Sequence, residues 1–332
     1  MDKIAKDVMN AAQLAAALEV SATPKPGNIH RNADYPLTRF EHFLSGAVAL
    51  GPAIGDVASQ GIKVVSTELK YSEIGIGKYV RQAIQDVNSW HNGGNTHLGS
   101  IMLFMPLAAA AAILKTREGK IKVDSLRKVV VKVMESTTNE DTSEFYGAIS
   151  SLNLGWLGQL RSKDAPDIGS HKSSNQIGKS GTTFFEIMKF SSKWDGIANE
   201  LTNGLSASFT IGYPSFIETY TETEDVNTAT VNAFLKILSE VPDTFIARKV
   251  GLDITKDIVE AVKVGMPFSQ TISEKSKKIL DEYKGMLSKR GHKEIEEMDE
   301  ELRRSAGNLN PGTTADITAA SLMIALLTGF RV

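Results

Sequence analysis

The sequence predicts an all-α protein built as a single multi-helix domain over residues 1–332, and three observations predict it. Apolar residues recur mainly three and four positions apart along most of the chain, the spacing that lines one face of a helix. The one good strand candidate, Ile62 to Val65, is short and isolated. No internal repeat, low-complexity linker or break in composition divides the 332 residues, a length with ample room for a core.

The first helix is expected over 3–20. Acids and Gln interrupt the apolar residues of MDKIAKDVMNAAQLAAALEV, so the start reads as an amphipathic helix of the mature chain and not as a signal peptide. Helices follow at 40–57, 78–91 and 97–115. Asp124, ahead of SLRKVVVKVMES, is an N-cap signal for a helix over 124–136. Further helices are expected at 145–162, 182–204, 227–239 and 253–264. The charged segment Ser273 to Arg304 reads as a solvated hairpin of helices 272–288 and 291–305, with Gly291 at its bend. Thr313, with Asp316 three residues on, caps a last helix over 314–329. The apolar runs Ile101 to Leu114 and Ile317 to Phe330 are too short and too rich in Ala and Thr to span a bilayer comfortably, so both are expected as core helices, with no membrane contact.

Composition narrows the function classes. A net charge of −2 removes the broad basic surface of a general nucleic-acid binder, so no nucleic-acid partner is expected and any anion site must be local. The absence of cysteine excludes disulfides, thiol nucleophiles and thiolate metal sites, and agrees with a cytoplasmic location. With six histidines in the chain, metal chemistry would lean on carboxylates.

Two loops carry the chemistry. In TPKPGNIHR (Thr23 to Arg31), Pro24 and Pro26 restrict the backbone around Lys25 and Gly27 permits a sharp turn. Lys25, Asn28, His30 and Arg31 can then converge on phosphate oxygens, for which Lys offers a compact charge and Arg a planar fork. The same residues would also suit an ordinary loop with exposed cations. In GGNTHLGS (Gly93 to Ser100), Asn95 or Thr96 can cap the following helix, whose free N–H groups, beside His97, would make an anion seat. Four acids adjoin Gly/Pro loops: Glu19, Asp141, Asp243 and Asp316. Such carboxylates are most often helix caps, but four meeting in a bundle would hold Mg²⁺ against a polyphosphate. Gly178-Lys179-Ser180 is no P-loop, because Ser173 stands where the first glycine is required and no strand precedes it. The polar stretch Ser162 to Gly181 reads instead as a loop over the site. Gly75-Ile76-Gly77 lacks the third glycine and the strand of a dinucleotide site.

Taken in order, EVSATPKPGN, GGNTHLGSI, NTATVNAFLKILSEVPDTFIARKVG and NLNPGTTADITAASLMIALL resemble the triphosphoribosyl-dephospho-CoA synthase family. The resemblance runs from near residue 19 to the C-terminus. It implies a helical enzyme that takes ATP and 3′-dephospho-CoA, joins the triphosphorylated ribose to an acceptor hydroxyl and expels adenine. Where the family commonly reads Leu-Val-Asp-Arg after the first-loop glycine, this chain has Asn28, Ile29 and His30 before Arg31. Leu98 replaces a lysine of the second loop, and Arg248 and Lys249 retain a basic pair after Asp243. On this resemblance Asp141 and Asp243 are the expected catalytic carboxylates. Glu19, Asp141 and Asp316 would hold Mg²⁺, and Lys25, Gly27, Asn28, His30, Arg31, Asn95, Thr96, His97, Arg248, Lys249 and Thr313 would hold the nucleotide. A related ribosyl transfer to another cofactor precursor, a non-catalytic nucleotide-binding regulator and a nucleoside hydrolase are the alternatives, and a homodimer fits the expected apolar helix faces.

Overall fold

The computed structural model describes residues 1–150, 152, 159–160, 181–305 and 309–332. In chain order its helices are α1 (Lys3–Ser21), α2 (Phe40–Ala49), α3 (Gly51–Val65), α4 (Ile76–Trp90), α5 (Leu98–Glu118), α6 (Val123–Glu135) and α7 (Asn139–Ser150). They continue as α8 (Phe184–Ser191), α9 (Gly196–Thr202), α10 (Tyr213–Thr223), α11 (Val226–Glu240), α12 (Thr244–Leu252), α13 (Ile258–Tyr283), α14 (Lys289–Arg303) and α15 (Gly312–Leu327). A π-helical turn, Ser208–Gly212, leads into α10. Among the described residues β pairing is limited to two isolated bridges, so the fold is all-α. The expected loop over 162–181 and its Gly178-Lys179-Ser180 lie almost wholly outside the described residues.

Local chemistry explains where these elements depart from expectation. Ile62 to Val65 is the last turn of α3, not a strand. The helix expected over 40–57 is two, because Pro52 stands in the first turn of α3, where its missing N–H costs nothing. The helix expected over 182–204 also divides, at Asp195, whose carboxylate accepts the Ala198 N–H at 2.9 Å and starts α9. Conversely, 253–264 and 272–288 join into the one long helix α13, which continues through Pro267. Asp124 lies inside the first turn of α6, and Thr313 inside that of α15. The α15 start is capped from outside, where Asp243 accepts the Thr314 N–H at 2.7 Å. Gly75-Ile76-Gly77 opens α4: Gly75 takes φ +76°, and a Cβ on Gly77 would lie 2.1 Å from the Asp141 carbonyl oxygen.

Two helices apolar on nearly every side form the centre. α5 is buried from Ser100 through Leu114, and α15 from Ile317 through Leu326. α5 is long and apolar enough to cross a membrane, but 94% of its apolar window is buried inside the protein, which makes it a core helix. Around it pack α1, α3, α4, α6 and α15. Gly61 lets α3 close on α5, since a Cβ there would stand 2.5 Å from the Ala109 carbonyl oxygen. The charged hairpin is only partly solvated. Its Ile272, Ile279, Ile295, Met298 and Leu302 form a second apolar cluster with Phe234 of α11. Its bend falls at Lys284, in the left-handed region, while Gly291 sits in the first turn of α14.

Candidate active site

The Pro-Gly loop turns inward. Lys25 is fully buried, ion-paired with Glu19 and 3.3 Å from the Asn28 Oδ1. Burial pushes the Glu19 carboxyl up and the Lys25 ammonium down against the attraction of the pair. Gly27, at φ +69°, donates its N–H to Asp299 at 2.8 Å. The same Asp299 meets the His30 Nε2 at 3.2 Å and the Arg303 guanidinium at 2.9 Å. The His30 and Arg303 hydrogen bonds hold Asp299 below the usual carboxylate range despite its burial, and burial lowers His30. Tyr35 closes the turn by donating to the Gly27 carbonyl at 2.7 Å. The expected convergence of Lys25, Asn28, His30 and Arg31 therefore does not occur. Lys25 and His30 are consumed inside the loop's own anchor, and Arg31 is exposed beside Asn227. Asn28 alone of the four reaches the cavity described below, with its amide bound to Asn310 at 2.9 Å.

The second loop folds onto the start of α5. Asn95 accepts the Leu98 N–H at 3.2 Å, and His97 is the N-cap residue. The Thr96 hydroxyl lies between His91 Nε2 at 3.1 Å and His97 Nδ1 at 2.7 Å. The anion seat expected here is occupied by a carboxylate of the protein itself. Asp316 accepts the Ser100 hydroxyl at 2.5 Å and also a Ser100 backbone bond. Gly99 allows this approach, because a Cβ there would stand 2.1 Å from Asp316 Oδ2. Burial, reinforced by Glu19 and Asp243 nearby, lifts the Asp316 carboxyl to about 7.

The other acids serve structure. Asp141 accepts the N–H groups of Gly77 and Thr138, each at 2.8 Å, joining α4 to the start of α7. Asp243 caps α12 through Phe245 and Ile246 and holds α15 through the Thr314 N–H and hydroxyl. Burial raises both carboxyls against these hydrogen bonds. Asp141 and Asp243 thus stand apart, each filled by backbone donors, and neither lines the cavity. Among the described residues no group of three or more acids or histidines is placed to hold a metal ion, and the expected set of Glu19, Asp141 and Asp316 does not assemble.

A cavity of about 220 Å³ brings the rest together. Glu19, Asn28, Asn95, Thr96, His97, Arg248, Thr313 and Asp316 line it. Lys25, Gly27, His30, Arg31, Lys249, Asp141 and Asp243 do not. Lys249 lies over the Phe245 ring at 4.4 Å, whereas Arg248 pairs with Asp195 at the cavity wall. Trp194, Phe145 and Phe43 add aromatic faces. Asp195, Asn310, Asp299 and Arg303 were missed in the sequence. Asp195 was legible as a helix start in KWDGIANE and Asn310 lies in the NLNPGTT segment, but nothing local marked Asp299 and Arg303.

The family model of ATP:dephospho-CoA triphosphoribosyl transferases (CitG) matches residues 5–331. The chain belongs to this family. It is 22% identical over 326 residues to Protein CitXG of Leuconostoc mesenteroides, covering 97% of this chain and 59% of that relative. It is 23% identical over 308 residues to a Pseudomonas fluorescens protein assigned as a 2-(5″-triphosphoribosyl)-3′-dephosphocoenzyme-A synthase, covering 92% of this chain and 86% of that one. In fold it is similar to a crystal structure assigned as a triphosphoribosyl-dephospho-CoA synthase from Archaeoglobus fulgidus, with TM-score 0.59 and 23% identity over 88% of this chain and all of that one. The segments around residues 28, 95–100, 243–249 and 310–316, on which the sequence resemblance was drawn, all contribute to the cavity walls or to the caps that hold them.

Proposed function

We propose that this chain transfers the 5-triphosphoribosyl group of ATP to a hydroxyl of 3′-dephospho-CoA and releases adenine. The observation that carries the reading is Asp316: a carboxyl raised to about 7, seated on the α5 N-terminus, in a cavity of a chain matched by the family model over residues 5–331. In the reaction the bond from ribose C1′ to adenine nitrogen breaks and a bond from C1′ to the acceptor oxygen forms. The acceptor hydroxyl loses a proton and adenine gains one. Asp316, ionised, takes the hydroxyl proton, because burial has raised this cavity carboxyl to about 7. Cleavage develops positive charge at C1′, which an ionised carboxylate at this wall stabilises. Asp141 and Asp243 leave the catalytic roles expected of them, since their oxygens are engaged by helix amides.

Arg248, His97 and Asn95 supply donors for the phosphates, and Trp194 offers a face for the adenine ring. Mg²⁺ enters as the Mg–ATP substrate. Glu19 is already matched by Lys25, and among the described residues no set of carboxylates is placed as a resident Mg²⁺ site.

The test is adenine formation from Mg–ATP, followed by chromatography with and without 3′-dephospho-CoA. Adenine that requires the acceptor, with the matching mass gain on it, is the expected result. Adenine formed equally without the acceptor would replace transfer by hydrolysis, and no adenine in either case would overturn the reading.

A further inference from the structure

The hydrogen bonds around His97 favour one position for its ring proton. The Gly93 N–H, which can only donate, points to His91 Nδ1 at 3.2 Å, so that nitrogen is an acceptor. Neutral His91 then carries its proton on Nε2, which faces the Thr96 Oγ1 at 3.1 Å. Thr96 accepts that proton and has a single hydroxyl hydrogen of its own to place. Its one remaining partner among the described residues is His97 Nδ1, at 2.7 Å. With the hydroxyl hydrogen placed on that nitrogen, His97 accepts at Nδ1 and carries its proton on Nε2. That Nε2 is buried and has no hydrogen-bond partner among the described residues, while His97 lines the cavity. The ring cannot turn away to find one. Phe43 packs on it with ring centroids 5.2 Å apart, and a Cβ on Gly46 would come within 2.5 Å of Nδ1.

A buried donor without a partner costs stability, and such groups cluster where a ligand supplies the missing acceptor. This donor adjoins the N-terminus of α5, whose partial positive charge favours an anionic acceptor most when Asp316, seated on the same end, is protonated. We propose that His97 donates from Nε2 to a phosphate oxygen of the bound nucleotide, and that His91 and Thr96 are the residues that fix it as a donor. His97 touches substrate in this arrangement, whereas His91 and Thr96 are positioning residues. Burial drops His97 to about 3, so it stays neutral throughout the working range, and burial lowers His91 as well. The charged and titratable groups around His97 are His91 and His42 on the side of the adjoining loop and α2, stacked at 5.5 Å, and Glu19, Asp195, Arg248 and Asp316 on the cavity side. The inference rests on the reading that the cavity holds a polyphosphate nucleotide, and its test separates the two.

The experiment is long-range ¹H–¹⁵N correlation of the imidazoles in the full chain with labelled histidine. Expected for His97 is a protonated Nε2 and a bare Nδ1 in the wild type. Thr96→Val removes the hydroxyl and keeps the shape, so it should give a mixed tautomer and a roughly tenfold to hundredfold loss of kcat/KM for ATP, the weight of one hydrogen bond to a charged group. Thr96→Ser should restore both. Inorganic triphosphate should shift the Nε2 proton and adenosine should not. A wild-type His97 protonated on Nδ1, a Thr96→Val spectrum identical to wild type, or no response to triphosphate each overturns the proposal. If tautomer and triphosphate response are as expected but no adenine forms with any acceptor, the transferase reading fails and the donor assignment stands.

Discussion

At Asp316 burial and chemistry act on the same proton. The carboxyl is raised to about 7 from an ordinary value of 3.8, so near neutral pH both forms are populated. If it accepts the hydroxyl proton, kcat/KM should rise with pH through about 7, and Asp316→Asn should remove that rise with most of the activity. Stability should move the other way. Between the ordinary carboxylate range and about 7 the folded protein keeps a proton that the unfolded chain has lost, so this group's contribution to stability falls as pH rises across that window. Melting temperatures of wild type and Asp316→Asn across pH 4 to 8, roughly the span set by these two values, should show the slope in one and its loss in the other. Gly99→Ala tests the same site from the opposite helix. A Cβ 2.1 Å from Oδ2 forces the carboxylate off the Ser100 amide and hydroxyl, so activity should fall at least tenfold while the far-UV spectrum is unchanged. Activity equal to wild type in Gly99→Ala would mean that the seat is not needed. Lys25→Met should instead cost stability, about 3–5 kcal/mol in denaturant unfolding, because Glu19 is left buried without its partner.

Among the elements, caps decide what a helix-spacing argument cannot. Spacing located the apolar helices 3–20, 97–115, 227–239 and 314–329 within a few residues of α1, α5, α11 and α15, because their buried stripes are long. It missed α10 and α12, which are short and whose ends are set by local features: Pro214 in the first turn of α10, and Asp243 accepting the first amides of α12. It also split α13, where Pro267 is carried within a helix that packs along α12. A Cβ on Gly251 would lie 1.8 Å from the Ala261 carbonyl oxygen, and one on Gly265 would lie 1.9 Å from that of Ala247, so the two backbones meet closely. The double cap at Asp243 makes a prediction of its own. It serves the starts of α12 and α15 together, so Asp243→Ala should destabilise by about 1–4 kcal/mol, twice the usual cost of one cap, measured by denaturant unfolding. Asp141→Ala, which frees the amides of Gly77 and Thr138 and the Thr138 hydroxyl, should cost about 1 kcal/mol and leave the activity of the folded fraction near that of wild type. A large kcat loss in folded Asp141→Ala protein would return that residue to the chemistry.

Across the whole molecule, the site was legible as two loops and a set of acids, and its orientation was not. Glycine, proline and polar side chains marked residues 23–31 and 93–100 as places where backbone and ligand meet. What a sequence cannot state is which partner each charge has already taken. Glu19 claims Lys25, and Asp299, far away on α14, claims His30 and the Gly27 amide, so the apparent phosphate loop is largely an internal anchor. The cavity is instead walled by both ends of the chain, with Glu19 and His97 from the first part facing Arg248 and Asp316 from the last. A ligand bridging those walls binds only when both parts are folded together, so Mg–ATP should raise the melting temperature. At a hundred times its Kd the expected gain is about 2.7 kcal/mol, a shift of a few degrees for a chain of this size. The two basic candidates then separate the possible locations. Arg248→Met should shrink the shift, because Arg248 lies on the cavity wall, and Arg31→Ala should leave it intact, because Arg31 is exposed outside the cavity beside Asn227. The reverse pattern would put the nucleotide on the outer face of the Pro-Gly loop and away from Asp316.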